Sequence, residues 1–216
     1  MKVSEKVAKI LLGIKAVSLN PKKPFRYTSG MLSPIYTDCR LLISFPKKRM
    51  EIIKFYLEAI KDSKTSVDVV AGTATAGIPW ASWIADAFNL PMIYVRSEQK
   101  KHGKRNQIEG QIKKGGQKAI IIEDLISTGS SCIETAKAIR SVGASASCIF
   151  SIITYGLKKS KDLFKESNLE LISLTDLHSL VNVSRKLSYI TANERQSILA
   201  WAKDPASWGK KMGFEV

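Results

Sequence analysis

The stretch Ala119-Ile120-Ile121-Ile122-Glu123-Asp124-Leu125-Ile126-Ser127-Thr128-Gly129-Ser130-Ser131 reads as a strand, a turn and a helix start in succession. Its first four residues are apolar and mostly β-branched, the composition of a strand buried on both faces of a parallel sheet. Two adjacent carboxylates close that strand. Small hydroxyl residues and one Gly follow, and residues 132–140 have helical composition. Together these parts make a phosphate site. Free backbone N–H groups and the helix dipole face an anion, and Ser and Thr hydroxyls supply further donors. Glu123 and Asp124 cannot bind phosphate themselves. Their chemistry suits ribose hydroxyls, a Mg²⁺ ion or a positive charge developing on a sugar.

Working outward, the strand signal recurs at residues 67–71, 92–95 and 146–154, and Ile172 and Leu174 close the sheet region. Helical composition fills residues 52–60, a segment ending at Phe88, and residues 192–202. Val3, Val7, Ile10, Leu11, Ile14 and Val17 predict an amphipathic helix over residues 3–17, and Pro21 and Pro24 end that region. Alternation of strands and helices predicts an α/β fold, a mostly parallel sheet flanked by helices on both faces. Such sheets bind ligands at the carboxyl ends of their strands. There is no internal repeat.

A second small-residue turn, Gly72-Thr73-Ala74-Thr75-Ala76-Gly77, lets backbone amides approach a phosphate. Gly72 and Gly77 have Walker A spacing, but Ile78-Pro79 stands where Lys-Ser/Thr would be, which excludes a nucleotide P-loop. Between residues 96 and 106 lie five cations and one His in eleven residues with no apolar face. Such a segment cannot bury itself, so it is expected to serve as a lid that closes on a polyanion. Residues 25–38 read as two short extended segments around a Ser-Gly turn. His178 reads as structural, not catalytic.

The 216 residues suit one domain, with 44% hydrophobic and 25% charged residues. No apolar run approaches the ~20 residues of a membrane span, and the amphipathic start argues against a secretory signal. Cys39, Cys132 and Cys148 lack metal spacing and pair to no even count, so they read as reduced thiols of a cytoplasmic protein. A net charge of +15 would attract polyanions. No helix-turn-helix, zinc finger or aromatic-basic motif focuses it on nucleic acid.

On these residues the chain resembles the type I phosphoribosyltransferases, which use phosphoribosyl pyrophosphate (PRPP). The match is the apolar strand, Glu123-Asp124 and the Thr128-Gly129 turn. Two further matches point to the orotate phosphoribosyltransferases: Ser29-Gly30-Met31-Leu32-Ser33-Pro34 resembles their base-covering hood, and Arg96, Lys100, His102 and Gly103 fit their Arg-x-x-x-Lys-x-His-Gly lid. The sequence departs from relatives at three places. Ala76 stands where many have Lys, Ser97 where several have a second basic residue, and Tyr155-Gly156 where some have an Arg for the base's carboxylate.

The resemblance covers nearly the whole chain, and what it implies is specific. The hood would span about residues 1–45 and a PRPP-binding core about 46–216, with no room for a decarboxylase domain. Orotate and PRPP would give orotidine 5′-monophosphate and diphosphate, with Mg²⁺ bridging PRPP's oxygens, in de novo pyrimidine synthesis. Lys100 and Asp124 would be catalytic. PRPP would contact Arg96, Lys100, His102, Glu123, Asp124, Leu125, Ile126, Ser127, Thr128, Gly129, Ser130 and Ser131, and Ser127 would also reach orotate. No residue of the chain would itself be a metal ligand. A homodimer would share its lids between subunits, without membrane or nucleic-acid partners. The rival readings are a purine or uracil phosphoribosyltransferase and a PRPP-sensing regulator that binds nucleic acid.

Overall fold

The computed structural model describes residues 1–27, 29–96, 107–113 and 115–214. Among them a six-stranded sheet runs in the order β10 (Glu170–Asp176), β9 (Ser145–Thr154), β8 (Lys118–Ile126), β5 (Val69–Thr73), β6 (Met92–Val95), β7 (Ile108–Glu109). All neighbours pair parallel except β6 and β7, which are antiparallel. Helix α3 (Gly77–Phe88) carries the chain from β5 to β6, and α4 (Ser130–Ser141) carries it from β8 to β9 in the other direction along the sheet. The order therefore switches between β5 and β8. A crevice opens at such a switch, at the carboxyl ends of the two strands.

Strand alternation sorts the core. Val70, Ile120 and Ile122 enter one apolar cluster with Trp80 and Ile84 of α3 and with Tyr56. Val69, Ala71 and Ile121 enter the other with Cys132, Ile133 and Ile139 of α4 and Phe164 of α5 (Lys158–Glu166). Side chains of successive strand residues point to opposite faces, so both faces of the sheet are covered.

Before the sheet come α1 (Val3–Gly13), β1 (Val17–Leu19), β2 (Phe25–Arg26), β3 (Leu32–Ser33), β4 (Ile35–Thr37), a 3₁₀ turn (Cys39–Ser44) and α2 (Pro46–Asp62). β2 and β3 form the hairpin expected around the Ser-Gly turn, with Gly30 at φ +84°, and β1 pairs with β4. The C-terminal helices clamp this segment, because Trp201 Nε1 donates to the Leu32 carbonyl at 3.1 Å.

Several boundaries differ from the sequence reading. Helix α1 stops at Gly13, Lys15 takes a left-handed φ of 58°, and Val17 belongs to a strand. α2 starts six residues earlier than the 52–60 segment, with Pro46 in its first turn, where the missing N–H costs nothing. β8 runs on through the two carboxylates to Ile126. α5 and α6 (Leu177–Lys186) lie in stretches to which the sequence reading assigned no element. The terminal helix breaks into α7 (Ala192–Lys203) and α8 (Pro205–Lys211), because Pro205 cannot continue a helix and Asp204 caps the next one.

Candidate active site

Two turns meet at the switch point. The first leaves β5 at Thr73, passes a cis Ala74–Thr75 peptide and enters α3 at Gly77. Ala74 N donates to the Val95 carbonyl at 2.9 Å, which ties this turn to the end of β6. Gly72 and Gly77 allow close packing. A Cβ on Gly72 would lie 3.0 Å from Ile78 Cα, and one on Gly77 would overlap the Ile122 carbonyl oxygen.

The second turn follows β8. Gly129 stands at the N-cap of α4 with φ +81°, a conformation favourable to Gly. No side chain caps that helix start. Its first N–H groups are therefore left to a ligand or to water, at the positive end of the helix dipole. Ser127 and Thr128 are half-buried, and Ser130 and Ser131 are exposed beside them. Thr128 Oγ1 lies 3.4 Å from Ser130 Oγ. Leu125 and Ile126 shape the turn through their backbone, and the Ile126 carbonyl accepts from Tyr155 N at 2.9 Å. A cavity of about 220 Å³ joins the two turns, with Thr73, Ala74, Arg96, Ser130 and Ser131 among its lining.

β8 continues through Glu123 and Asp124, and their two carboxyls hydrogen-bond to each other. Glu123 Oε2 lies 3.9 Å from Cys132 Sγ on α4, and its Oε1 accepts from Asp124 N at 3.1 Å. The Asp124 charge is the strongest charge acting on Cys39 and Tyr56. Both carboxyls are almost fully buried. Burial pushes the Glu123 carboxyl well above the usual carboxylate range, and the neighbouring Asp124 adds to it. Burial also raises Asp124, opposed first by the hydrogen bond with the Glu123 carboxyl, then by backbone hydrogen bonds and last by the Arg40 charge. Tyr56, fully buried on α2, donates its hydroxyl to the Glu123 carbonyl at 2.6 Å and so fixes the backbone between the acids. Burial also pushes the Cys39 and Cys132 thiols up, so neither is a nucleophile at neutral pH.

Arg96 stands at the end of β6, with Nη1 at 3.5 Å from Glu109 Oε1. Its backbone N donates to the Gln107 carbonyl, and Gln107 Nε2 donates to the Arg96 carbonyl, so both ends of the basic segment are pinned together. Lys100 and His102, expected in the lid, lie outside the described residues, as do Ser97 and Gly103. The described residues thus bring Arg96 together with Thr73, Ala74, Ser130 and Ser131 around one cavity, while Glu123 and Asp124 are buried at the end of β8. A larger groove, about 630 Å³, lies at the start of α1 beside His178 of α6 and lacks every one of these features. Tyr56 and Arg40 escaped the sequence reading. Neither carries a local motif: Tyr56 reaches the Glu123 carbonyl only through folding, and Arg40, ion-paired with Asp38, acts on Asp124 by its charge alone.

Residues 46–180 match the model of the phosphoribosyl transferase domain. The orotate phosphoribosyltransferase of Listeria monocytogenes serotype 4b (strain F2365) is 50% identical over 210 residues, covering 97% of this chain and 100% of that one. The chain belongs to the orotate phosphoribosyltransferase family. The member from Coxiella burnetii (strain RSA 493 / Nine Mile phase I) is 49% identical over 208 residues, 96% of this chain and 99% of its own. Among solved structures, the orotate phosphoribosyltransferase of Aeropyrum pernix superposes with a TM-score of 0.74 at 28% identity, covering 86% of this chain and 99% of that one. The fold that the family resemblance implies, a mostly parallel sheet flanked by helices, is the one present here.

Proposed function

We infer that this chain transfers the 5-phosphoribosyl group of PRPP to orotate, giving orotidine 5′-monophosphate and diphosphate in pyrimidine biosynthesis. The observation that carries the reading is the uncapped start of α4, whose Ser130 and Ser131 share a cavity with Thr73, Ala74 and Arg96 at the switch between β5 and β8. In this reading residues 127–131 hold the 5′-phosphate, the 74–77 turn and Arg96 face the diphosphate, and Asp124 faces the ribose. Breaking the anomeric C–O bond leaves positive charge on the ribose and negative charge on the diphosphate. A fixed carboxylate on one side and cations on the other lower that barrier with little covalent chemistry. Residues 1–45 would form the hood, with Ser127 reaching the base, and the core would follow from about residue 46.

Mg²⁺ is proposed to enter with its substrate. Among the described residues no group of three or more His, Cys, Asp or Glu could hold a metal. That donor set fits an ion held by diphosphate and ribose oxygens and water, as Mg²⁺ prefers. No described helix is long and apolar enough to cross a membrane; a cytoplasmic location belongs to the proposal.

With PRPP and Mg²⁺, orotate is expected to be consumed at least about tenfold faster than uracil, hypoxanthine or adenine, since polar base contacts discriminate strongly. Diphosphate release measured base by base tests this, and faster turnover of any purine would sink the assignment.

A shared lid across a two-fold dimer completes the proposal. Lys100→Ala and Asp124→Asn chains, each inactive alone, would then complement after subunit exchange. A mixed dimer has one site with both intact groups and one with both lesions. Half the dimers are mixed, so roughly a quarter of wild-type activity should return under C₂ symmetry. No recovery, with exchange shown by mass spectrometry, would place the lid in its own subunit.

A further inference from the structure

The phosphate turn has few ties of its own. Among the described residues the Thr128 and Ser130 hydroxyls meet only each other, at 3.4 Å, and α4 starts without a side-chain cap. Its entry is held by Tyr155 N on the Ile126 carbonyl. Beneath the turn lies an aromatic ring. A Cβ on Gly129 would stand 2.6 Å from Phe164 Cζ and 2.8 Å from Cε1, so the glycine backbone rests directly on that ring. Phe164 is 4% exposed and packs in the same apolar cluster as Cys132, Ile133 and Ala136 of α4. The helix that carries it is anchored in turn. Arg140 of α4 donates to the Ser167 carbonyl at 2.9 Å, and Leu169 N donates to the Phe164 carbonyl at 2.9 Å.

We propose that Phe164 is a positioning residue for PRPP, a stop beneath Gly129 that sets the height and tilt of the phosphate turn. The inference rests on residues 127–131 holding the 5′-phosphate. Phe164 touches no substrate atom. It acts through the backbone of Gly129, so its signature is the KM for PRPP and not kcat or the KM for orotate. An ordinary core role would lower stability without that split.

Gly143 supplies the control. It shares the left-handed conformation at φ +84°, but a Cβ there would meet nothing within 4 Å. Gly143→Ala should therefore lower Tm slightly and leave the KM for PRPP unchanged. Gly129→Ala adds the same backbone strain and also drives a methyl into Phe164, so its KM for PRPP should rise about tenfold or more. Trimming the ring relieves the overlap. In Gly129→Ala/Phe164→Leu the KM should fall at least about threefold from the single variant, a coupling that neighbours show and independent sites do not. Phe164→Leu alone, which retains a buried apolar side chain, should raise the KM for PRPP about threefold with kcat and the orotate KM unchanged. It carries the test if Gly129→Ala does not fold. Absence of relief in the double variant, or an unchanged PRPP KM in Phe164→Leu, would overturn the proposal. Wild-type turnover that ribose 5-phosphate fails to inhibit would instead overturn the phosphate assignment, and the proposal with it.

Discussion

Replacing Asp124 by Asn is expected to lower kcat by on the order of 10²-fold or more while changing PRPP affinity much less. The substitution keeps the side chain's shape and its hydrogen bond from Leu125 N, now 2.7 Å to Oδ1. It removes only the charge. That charge sits almost fully buried, where water screens it weakly, so it acts on a developing cation more strongly than an exposed carboxylate would. Bound PRPP carries no such cation before its bond breaks, so the loss falls on the transition state. Glu123→Gln is the comparison. Burial already pushes the Glu123 carboxyl well above the usual carboxylate range, so Gln mimics its neutral form and kcat should fall less than in Asp124→Asn. Steady-state kinetics with both substrates saturating separate the two variants. An unchanged kcat in Asp124→Asn would reduce that residue to a structural carboxylate.

The difference between the two acids marks how far the sequence could be read. The buried strand, the hydroxyl-rich turn and the helix after it were legible because each has a local signature in composition. The run of β8 through the acids was not legible, because an acidic pair looks like a strand terminus on composition alone. β9 pairs with β8 as far as Ile126↔Thr154, and that partner keeps the acids in the strand. Tyr56 was illegible for a different reason: its bond to the Glu123 carbonyl spans 67 residues of sequence.

Helix α5 shows the same limit from the other side. Lys158-Lys159-Ser160-Lys161-Asp162-Leu163-Phe164-Lys165-Glu166 has only Leu163 and Phe164 to mark a buried face, too few for a helical period. Burial of Phe164 against α4 and the Gly129 turn supplies the packing its composition does not advertise. Val17 errs in the opposite sense. It keeps helical spacing from Ile14, but Gly13 and the left-handed Lys15 turn the chain before it, and β4 then claims it as a strand partner of Thr37. Periodicity cannot see a reversal that one backbone torsion makes.

Gly77→Ala is expected to lower both stability and turnover, because its methyl meets backbone. The Cβ would overlap the Ile122 carbonyl oxygen and lie 3.4 Å from Glu123 Cα, so no rotamer change can make room. Either α3 lifts from β8 or β8 bends where the acids begin. Overpacking of this kind costs ~1–3 kcal/mol and occasionally more. At ~2–4 °C per kcal/mol for a chain of this size, Tm should fall by about 2–12 °C. Gly13→Ala makes the comparison, since a Cβ there meets nothing within 4 Å and the residue ends a helix. Its Tm should hold or rise slightly. Turnover distinguishes the two ways of yielding. If α3 lifts, the 74–77 turn moves with it and the KM for PRPP rises while Asp124 keeps its place. If β8 bends, Asp124 moves and kcat falls at unchanged KM. Calorimetry that finds the two alanine variants equally stable would mean that α3 does not rest on the Ile122 carbonyl, and the close seam between the diphosphate turn and the acids would have to be abandoned.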